Sequence, residues 1–441
     1  MIMLIFLIQL PPIGTMLGWP KCFYNVENSI QFETSAGISF ADVNGNNDLE
    51  VIFNLRYGDG DTLFVFDYQG NLLWKIRDSL IQYPAFADLD NDAVNEIIFG
   101  SAYGINVLRG DGTTMPPFPF LIPNCYWSEV SIADIDGDDS LDIIFSARIY
   151  DAAAYLYVLN KNGQPLQGWP RIMPDYVFTH PAVADIDNDT KKEIIYNTWR
   201  DSLYCFRYDG TIQPGFPVEN KVTSDCGIGE VILCDIDYDG FIEIIFGSCT
   251  PWADTGCLYI YRWDGSNQPG WPKYFSDHIV FHPDQYHFAI GDINNDQKIE
   301  FVIVGTGRVM RILDQDGNYV PNTCQWFDWG AQNPLIANID FTPEKEIIAN
   351  TGNYRVSAFY YDGEMCYGWP IKSLGKQVNY FNEITVDDID NDGLIELGLV
   401  IIGGDAPPRA YIHIWKLHGK PDEIEWGRSY YDLQRTCYFR R

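Results

Sequence analysis

Basic residues are scarce in this chain. Its 29 Lys and Arg stand against 61 Asp and Glu, a formal net charge of −32. So acidic a surface repels polyanions, which excludes nucleic acid and anionic lipid as natural partners. Long apolar runs are also missing: Ile2–Leu10 is too short to span a bilayer, and no later segment is long enough. That first run has the core of an export signal without a basic leader or a small-residue cleavage site. Residues 1–17 therefore read either as a signal peptide or as a closing strand. The ten cysteines include no C-x-x-C pair, which argues against a zinc ribbon. Cys249 and Cys257 bracket the short segment Thr250–Gly256, where either a hairpin disulfide or two buried thiols would fit. There is no G-x-S-x-G nucleophile elbow and no local Cys–His signature. No stretch shows a helical apolar period.

What the chain has is a repeat. One segment recurs eight times: ADVNGNNDLEVIF from Ala41, ADLDNDAVNEIIFG from Ala87, ADIDGDDSLDIIFS from Ala133, ADIDNDTKKEIIYN from Ala184, CDIDYDGFIEIIFG from Cys234, GDINNDQKIEFVIVG from Gly291, ANIDFTPEKEIIAN from Ala337 and DDIDNDGLIELGLV from Asp387. Its first oxygen-bearing position falls at 42, 88, 134, 185, 235, 292, 338 and 388, a spacing of 46 to 57 residues. Four-stranded propeller blades have about this period. A short apolar run precedes each loop and a β-branched run follows it. Then comes a strand ending in a turn, such as LYVLNKNG from Leu156 or LYIYRWDG from Leu258. A fourth element often carries Gly-Trp-Pro, as at Gly168–Pro170, Gly270–Pro272 and Gly368–Pro370. The pattern predicts an all-β, eight-bladed propeller with four antiparallel strands per blade, spanning 18–441 as one domain. Seven blades is the alternative, with one degenerate copy spent on closing the ring.

Within each loop, positions 1, 3, 5 and 9 carry oxygen donors. The sets are Asp88, Asp90, Asp92 and Glu96; Asp134, Asp136, Asp138 and Asp142; Asp185, Asp187, Asp189 and Glu193; Asp235, Asp237, Asp239 and Glu243; and Asp388, Asp390, Asp392 and Glu396. Two sets mix amides with acids: Asp42, Asn44, Asn46, Glu50 and Asp292, Asn294, Asp296, Glu300. The seventh copy is degraded to Asn338, Asp340, Thr342 and Glu346, with Pro343 in the tight part. Alternation puts the donors on the inside of a tight loop, while residues such as Leu89 and Ile135 point into the core. Hard oxygens in irregular geometry suit Ca²⁺; Mg²⁺ demands a stricter octahedron, and soft metals would want Cys or His. About six to seven calcium sites are expected. An EF-hand also opens D-x-D-x-D, but it places its last carboxylate at position 12 between helices. Here that carboxylate is at position 9, and the flanks are β-branched.

These loops resemble the FG-GAP/VCBS repeat family, which includes the calcium-binding blades of integrin α-subunit propellers. The resemblance covers about residues 18–437, and Ile98–Gly100 and Ile245–Gly247 fit the family's FG element. It implies that each metal loop joins the first two strands of a blade on the lower rim, with the donors named above as ligands. EWGRSYYDLQRTCYF from Glu425 resembles the closing segment of bacterial secreted propellers. Gly18–Tyr24 resembles the fourth-strand element, so either end is able to complete the eighth blade.

On the opposite rim, long loops are expected at Ala147–Ala154, Ser248–Gly256 and Gly403–Arg409, and between blades at Tyr274–Tyr286. These carry Trp252, His278 and His282, with His287 just beyond, as candidate ligand-binding residues. The expectation is a secreted or cell-surface calcium-binding module for adhesion, binding or scaffolding, with a protein or glycan ligand on the upper rim and structural calcium. The alternative is a polysaccharide lyase acting on uronate-containing glycans, similar to rhamnogalacturonan lyases built on calcium propellers. It would use a His as base, but no matching Arg/Lys clamp is legible. No catalytic residue is assigned.

Overall fold

The computed structural model describes residues 13–24, 37–57, 60–79, 81, 83–149, 154–174, 180–198, 202–219, 228–249, 256–275, 288–305, 309–323, 325–326, 332–340, 342–351, 355–372, 384–403, 409–428, 432, 434–436 and 438–439. Their strands form eight separate antiparallel sheets, six of four strands and two of five. This is an eight-bladed β-propeller. Apart from one 3-10 turn at Pro421–Glu423, the regular structure among the described residues is entirely β.

The second blade shows why the sequence folds this way. Its strands are Ala85–Ala87, Glu96–Ser101, Gly104–Leu108 and Phe120–Leu121. Successive strand side chains face opposite ways. Ile97 and Phe99 pack with Val43, Ile52 and Val65 of the first blade. Ile98, between them, packs with Val130, Ile132 and Phe145 of the third. Both faces of an inner strand are thus covered by neighbouring blades, so its sequence is a continuous apolar run rather than an alternation.

The ring closes with both chain ends. The eighth blade takes Ile384–Asp387, Glu396–Gly403 and Arg409–Lys416 from the C-terminal part. Its outer strand is Lys21–Tyr24, paired from Lys21↔Ile412 to Tyr24↔Arg409. Ile13–Thr15 pairs with the far end of the same strand, Ile13 opposite Lys416. The fourth-strand resemblance of Gly18–Tyr24 is therefore realised by strand pairing. The apolar run Ile2–Leu10 lies outside the described residues.

The C-terminal segment does not form another blade strand in sequence. Ile424–Trp426 pairs with the inner strand Gln332–Ala337 of the seventh blade. Val386 of the eighth then donates its N–H to the carbonyl of Gly427 at 2.9 Å. Arg428 donates to the Phe40 carbonyl of the first blade at 3.2 Å, and Arg435 to the Pro84 carbonyl of the second at 2.7 Å. The amides of Ile132 and Val183, in the third and fourth blades, donate to Gln434 and Thr436 at 2.9 Å each. Phe439 donates to Leu233 of the fifth at 2.8 Å. The segment thus visits the inner strands of seven blades, and Glu425 lies beside Gly291 of the sixth.

Of the two readings of Cys257, the buried thiol holds. Cys257 stands opposite Ser248, while Cys249 stands opposite Gly256, so the two cysteines are one residue out of register. Cys257 is a buried free thiol, its pKa pushed up by burial to about 12.

Candidate metal centre

Every acidic loop joins the first strand of a blade to the second. In the second blade the loop folds around its own carboxylates. Asp88 accepts the N–H groups of Asp92 and Ala93 at 3.0 and 2.8 Å. Asp92 accepts Val94 at 2.9 Å, and Glu96 accepts Leu89 at 2.8 Å through Oε2. Asn91 and Ala93 take left-handed φ values of 62° and 69° to make the turn. The same bonds recur in the fourth and fifth loops, around Asp185 and Glu193 and around Asp235 and Glu243. Some neighbouring loops also touch: Asn188 donates to Gly240 at 2.5 Å, and Asn391 of the eighth loop donates to Asn47 of the first.

Because backbone donors hold the outer oxygens, the remaining oxygens face inward together. Ligand atoms of Asp88, Asp90 and Glu96 lie within 4.8 Å of one another. So do those of Asp134, Asp136 and Asp142; Asp185, Asp187 and Glu193; Asp235, Asp237 and Asp239; and Asp388, Asp390 and Glu396. Buried carboxylate oxygens without a donor are costly. Asp90 Oδ1, Asp136 Oδ1 and Glu193 Oε1 are buried with no hydrogen-bond partner. Several of these clusters are able to hold a metal ion. Burial, reinforced by the facing aspartates, pushes Glu193 up to about 8 and Glu96 up to about 7, against the pull of the backbone N–H each accepts.

The other loops differ in what meets the inward oxygen at position 9. In the first loop the Asn44 amide donates to Glu50 Oε1 at 2.5 Å, and in the sixth Asn294 donates to Glu300 Oε1 at 3.5 Å. In the seventh the Thr342 hydroxyl donates to Glu346 Oε1 at 3.2 Å. That loop satisfies itself, in keeping with its degraded sequence. In the eighth, the Lys416 ammonium sits 3.3 Å from Asp390 and 3.5 Å from Glu396 and also contacts Asp392.

Lys416 was not legible as a site residue. It stands one position past Trp415, the partner of Leu397, and only strand register shows that this position overlooks the loop. In other blades the same position holds Arg109, Arg207 and Arg262. Arg109 lies 3.6 Å from Asp90, and Arg207 lies 4.0 Å from Asp187. Gln213 and Gln268, also missed, donate to Asp187 and Asp237 at 2.8 and 2.7 Å.

The candidate ligand-binding residues Trp252, His278, His282 and His287 lie outside the described residues. No helix among the described residues is long and apolar enough to cross a membrane.

The fold and its loops define the class: a β-propeller with repeated acidic clusters. No protein-family model matches the chain, and no curated protein matches it. Solved structures do. Sqt1 of Saccharomyces cerevisiae is 11% identical, covers 92% of this chain and 100% of its own, and superposes with a TM-score of 0.61. The Dos1 propeller is 10% identical over 87% of this chain and 94% of its own, with a TM-score of 0.50. The V. cholerae biofilm matrix protein Bap1 is 13% identical over 95% of this chain and 94% of its own, with a TM-score of 0.46.

Proposed function

We propose that this chain is a calcium-binding β-propeller of the FG-GAP/VCBS type that works outside the cell as a binding, adhesion or scaffold module. The observation that carries the reading is the set of buried, inward, donorless oxygens at Asp90, Asp136 and Glu193. Hydrogen-bond donors within the loops leave them unmet, and a hard, oxygen-seeking cation meets them. Calcium suits their irregular, all-oxygen surroundings, and partly exposed loops suit the high free calcium outside cells. In this reading the ions are structural. They neutralise carboxylates that otherwise repel one another, so binding adds to folding stability. A protein or glycan ligand then engages the rim opposite the metal loops.

The test is thermal melting of EDTA-stripped protein titrated with CaCl₂ or MgCl₂, beside a glycan array run with and without chelator. Calcium is expected to raise Tm at concentrations where magnesium does not. A melting temperature indifferent to both cations would remove the calcium reading.

A further inference from the structure

The eighth loop has the full acidic sequence of a metal site, yet its cation position is already taken. The ligand atoms that lie together in this loop belong to Asp388, Asp390 and Glu396. The Lys416 ammonium contacts two of these, at 3.3 Å for Asp390 Oδ2 and 3.5 Å for Glu396 Oε1, and it also contacts Asp392. It is held there by strand pairing on both sides, since Lys416 is opposite Glu396 in one neighbour and Ile13 in the other. Its side chain is 19% exposed and that of Glu396 is fully buried, so bulk water does little to screen the contact.

The arginines at the same position in other blades behave differently. Arg207 turns its Nε to Gln213 and reaches only Asp187, at 4.0 Å. Arg262 turns its Nε to Gln268 at 2.7 Å. Arg109 reaches only Asp90, at 3.6 Å. A planar guanidinium spreads its charge and stays at the edge of the loop, whereas an ammonium is a compact charge on a thin stem that enters it. The inner oxygens Asp90 Oδ1, Glu193 Oε1 and Glu396 Oε1 all keep no hydrogen-bond partner, but Glu396 Oε1 alone of the three has an ammonium ion pair, at 3.5 Å.

We infer that Lys416 is the resident cation of the eighth loop, and that this loop takes no metal ion while Lys416 is present. The inference rests on the calcium reading of the other loops and corrects the expectation that all well-formed copies are ion sites. The closure of the ring makes this placement useful. The eighth blade is assembled from both chain ends, and a covalent cation offsets part of its loop's negative charge without waiting for a free ion.

The experiment counts calcium per chain by equilibrium dialysis and atomic emission on full-length protein. Lys416→Met, which keeps most of the aliphatic stem, is expected to bind one more ion than the wild type. Asp388→Asn in the otherwise unaltered chain is expected to leave the count unchanged, while Asp185→Asn in the fourth loop lowers it by one. Folding of each variant is checked by circular dichroism, and the Asp388→Asn and Asp185→Asn pair decides the matter if Lys416→Met does not fold. An unchanged count in folded Lys416→Met, or a loss of one ion in Asp388→Asn, overturns the inference and leaves the calcium reading standing. A wild type that binds no calcium overturns both.

Discussion

The ninth position of each loop holds a carboxyl that is buried before any ion arrives. Burial first, and the neighbouring aspartates after it, raise Glu50, Glu96 and Glu300 from 4.5 to about 7, and Glu193, Glu243, Glu346 and Glu396 to about 8. Asp142 rises from 3.8 to about 7. The folded values lie above the unfolded ones, so these groups favour the folded state fully below their unfolded pKa. They lose that contribution as pH climbs through 7 and 8. Metal-free protein is therefore expected to become less stable from about pH 5 to pH 8. On the proposed calcium reading, the ion prefers the deprotonated carboxylate and should bind more tightly over the same interval. Urea midpoints in EDTA, measured at half-unit pH steps, check the first expectation; a midpoint that rises with pH contradicts it. The donors themselves were readable, because alternation and eightfold repetition leave few other uses for them. Lys416 was not. A lysine at a strand end has no local signature, and its partners lie 20 to 26 residues away across a register that the sequence does not print.

At the scale of elements, the Gly-Trp-Pro segment works as a clamp between blades. The indole N–H of Trp169, in the third blade, donates to the Tyr208 carbonyl of the fourth at 2.9 Å. Trp19 makes the same bond to Tyr68 across the closing seam. Gly168 sits at φ 96°, and a Cβ there would lie 2.0 Å from the Asp209 carbonyl oxygen. Gly270, with φ 88°, would meet nothing within 4 Å. Both sites share the left-handed strain of a substitution, about 1–2 kcal/mol. Only the first adds a backbone collision. Gly168→Ala is thus expected to lower Tm clearly more than Gly270→Ala, measured by calorimetry in saturating calcium. Equal losses would mean that the close approach to the next blade does not matter. The repeat of this motif was legible, but its contact was not, since it joins residues of adjacent blades. The state of Cys257 stayed open in the sequence for a related reason. Spacing allowed a hairpin bridge or buried thiols, and Cys257 proves to be a buried free thiol opposite Ser248.

At the scale of the whole molecule, the repeats explain the blades and leave the axis unexplained. Inner strands present backbone donors and acceptors toward the axis, and buried ones need partners. The C-terminal segment supplies them blade by blade, from Ile424–Trp426 beside the seventh to Phe439 at the fifth. It also buries Trp426 and Phe439, whose rings lie 6.1 Å apart. Arg428 anchors it to Asp387 at 2.6 Å. No repeat pattern marks this segment, because each of its residues meets a different blade, so its path could not be read from the sequence. Its role differs from that of Lys21–Tyr24, which seals one blade by ordinary strand pairing. A chain ending at residue 423 keeps all eight loops and all four strands of each blade, but exposes inner-strand edges and leaves two large aromatic side chains' worth of space. Loss of one buried Phe or Trp costs about 3–5 kcal/mol. This truncation is accordingly expected to lower Tm by many degrees while leaving the calcium count unchanged, since Asp88, Asp134, Asp185 and Asp235 make their loop bonds without the segment. Melting in saturating calcium together with dialysis separates the two effects. A truncated chain that melts with the full-length protein would show that the axis is not supported from within.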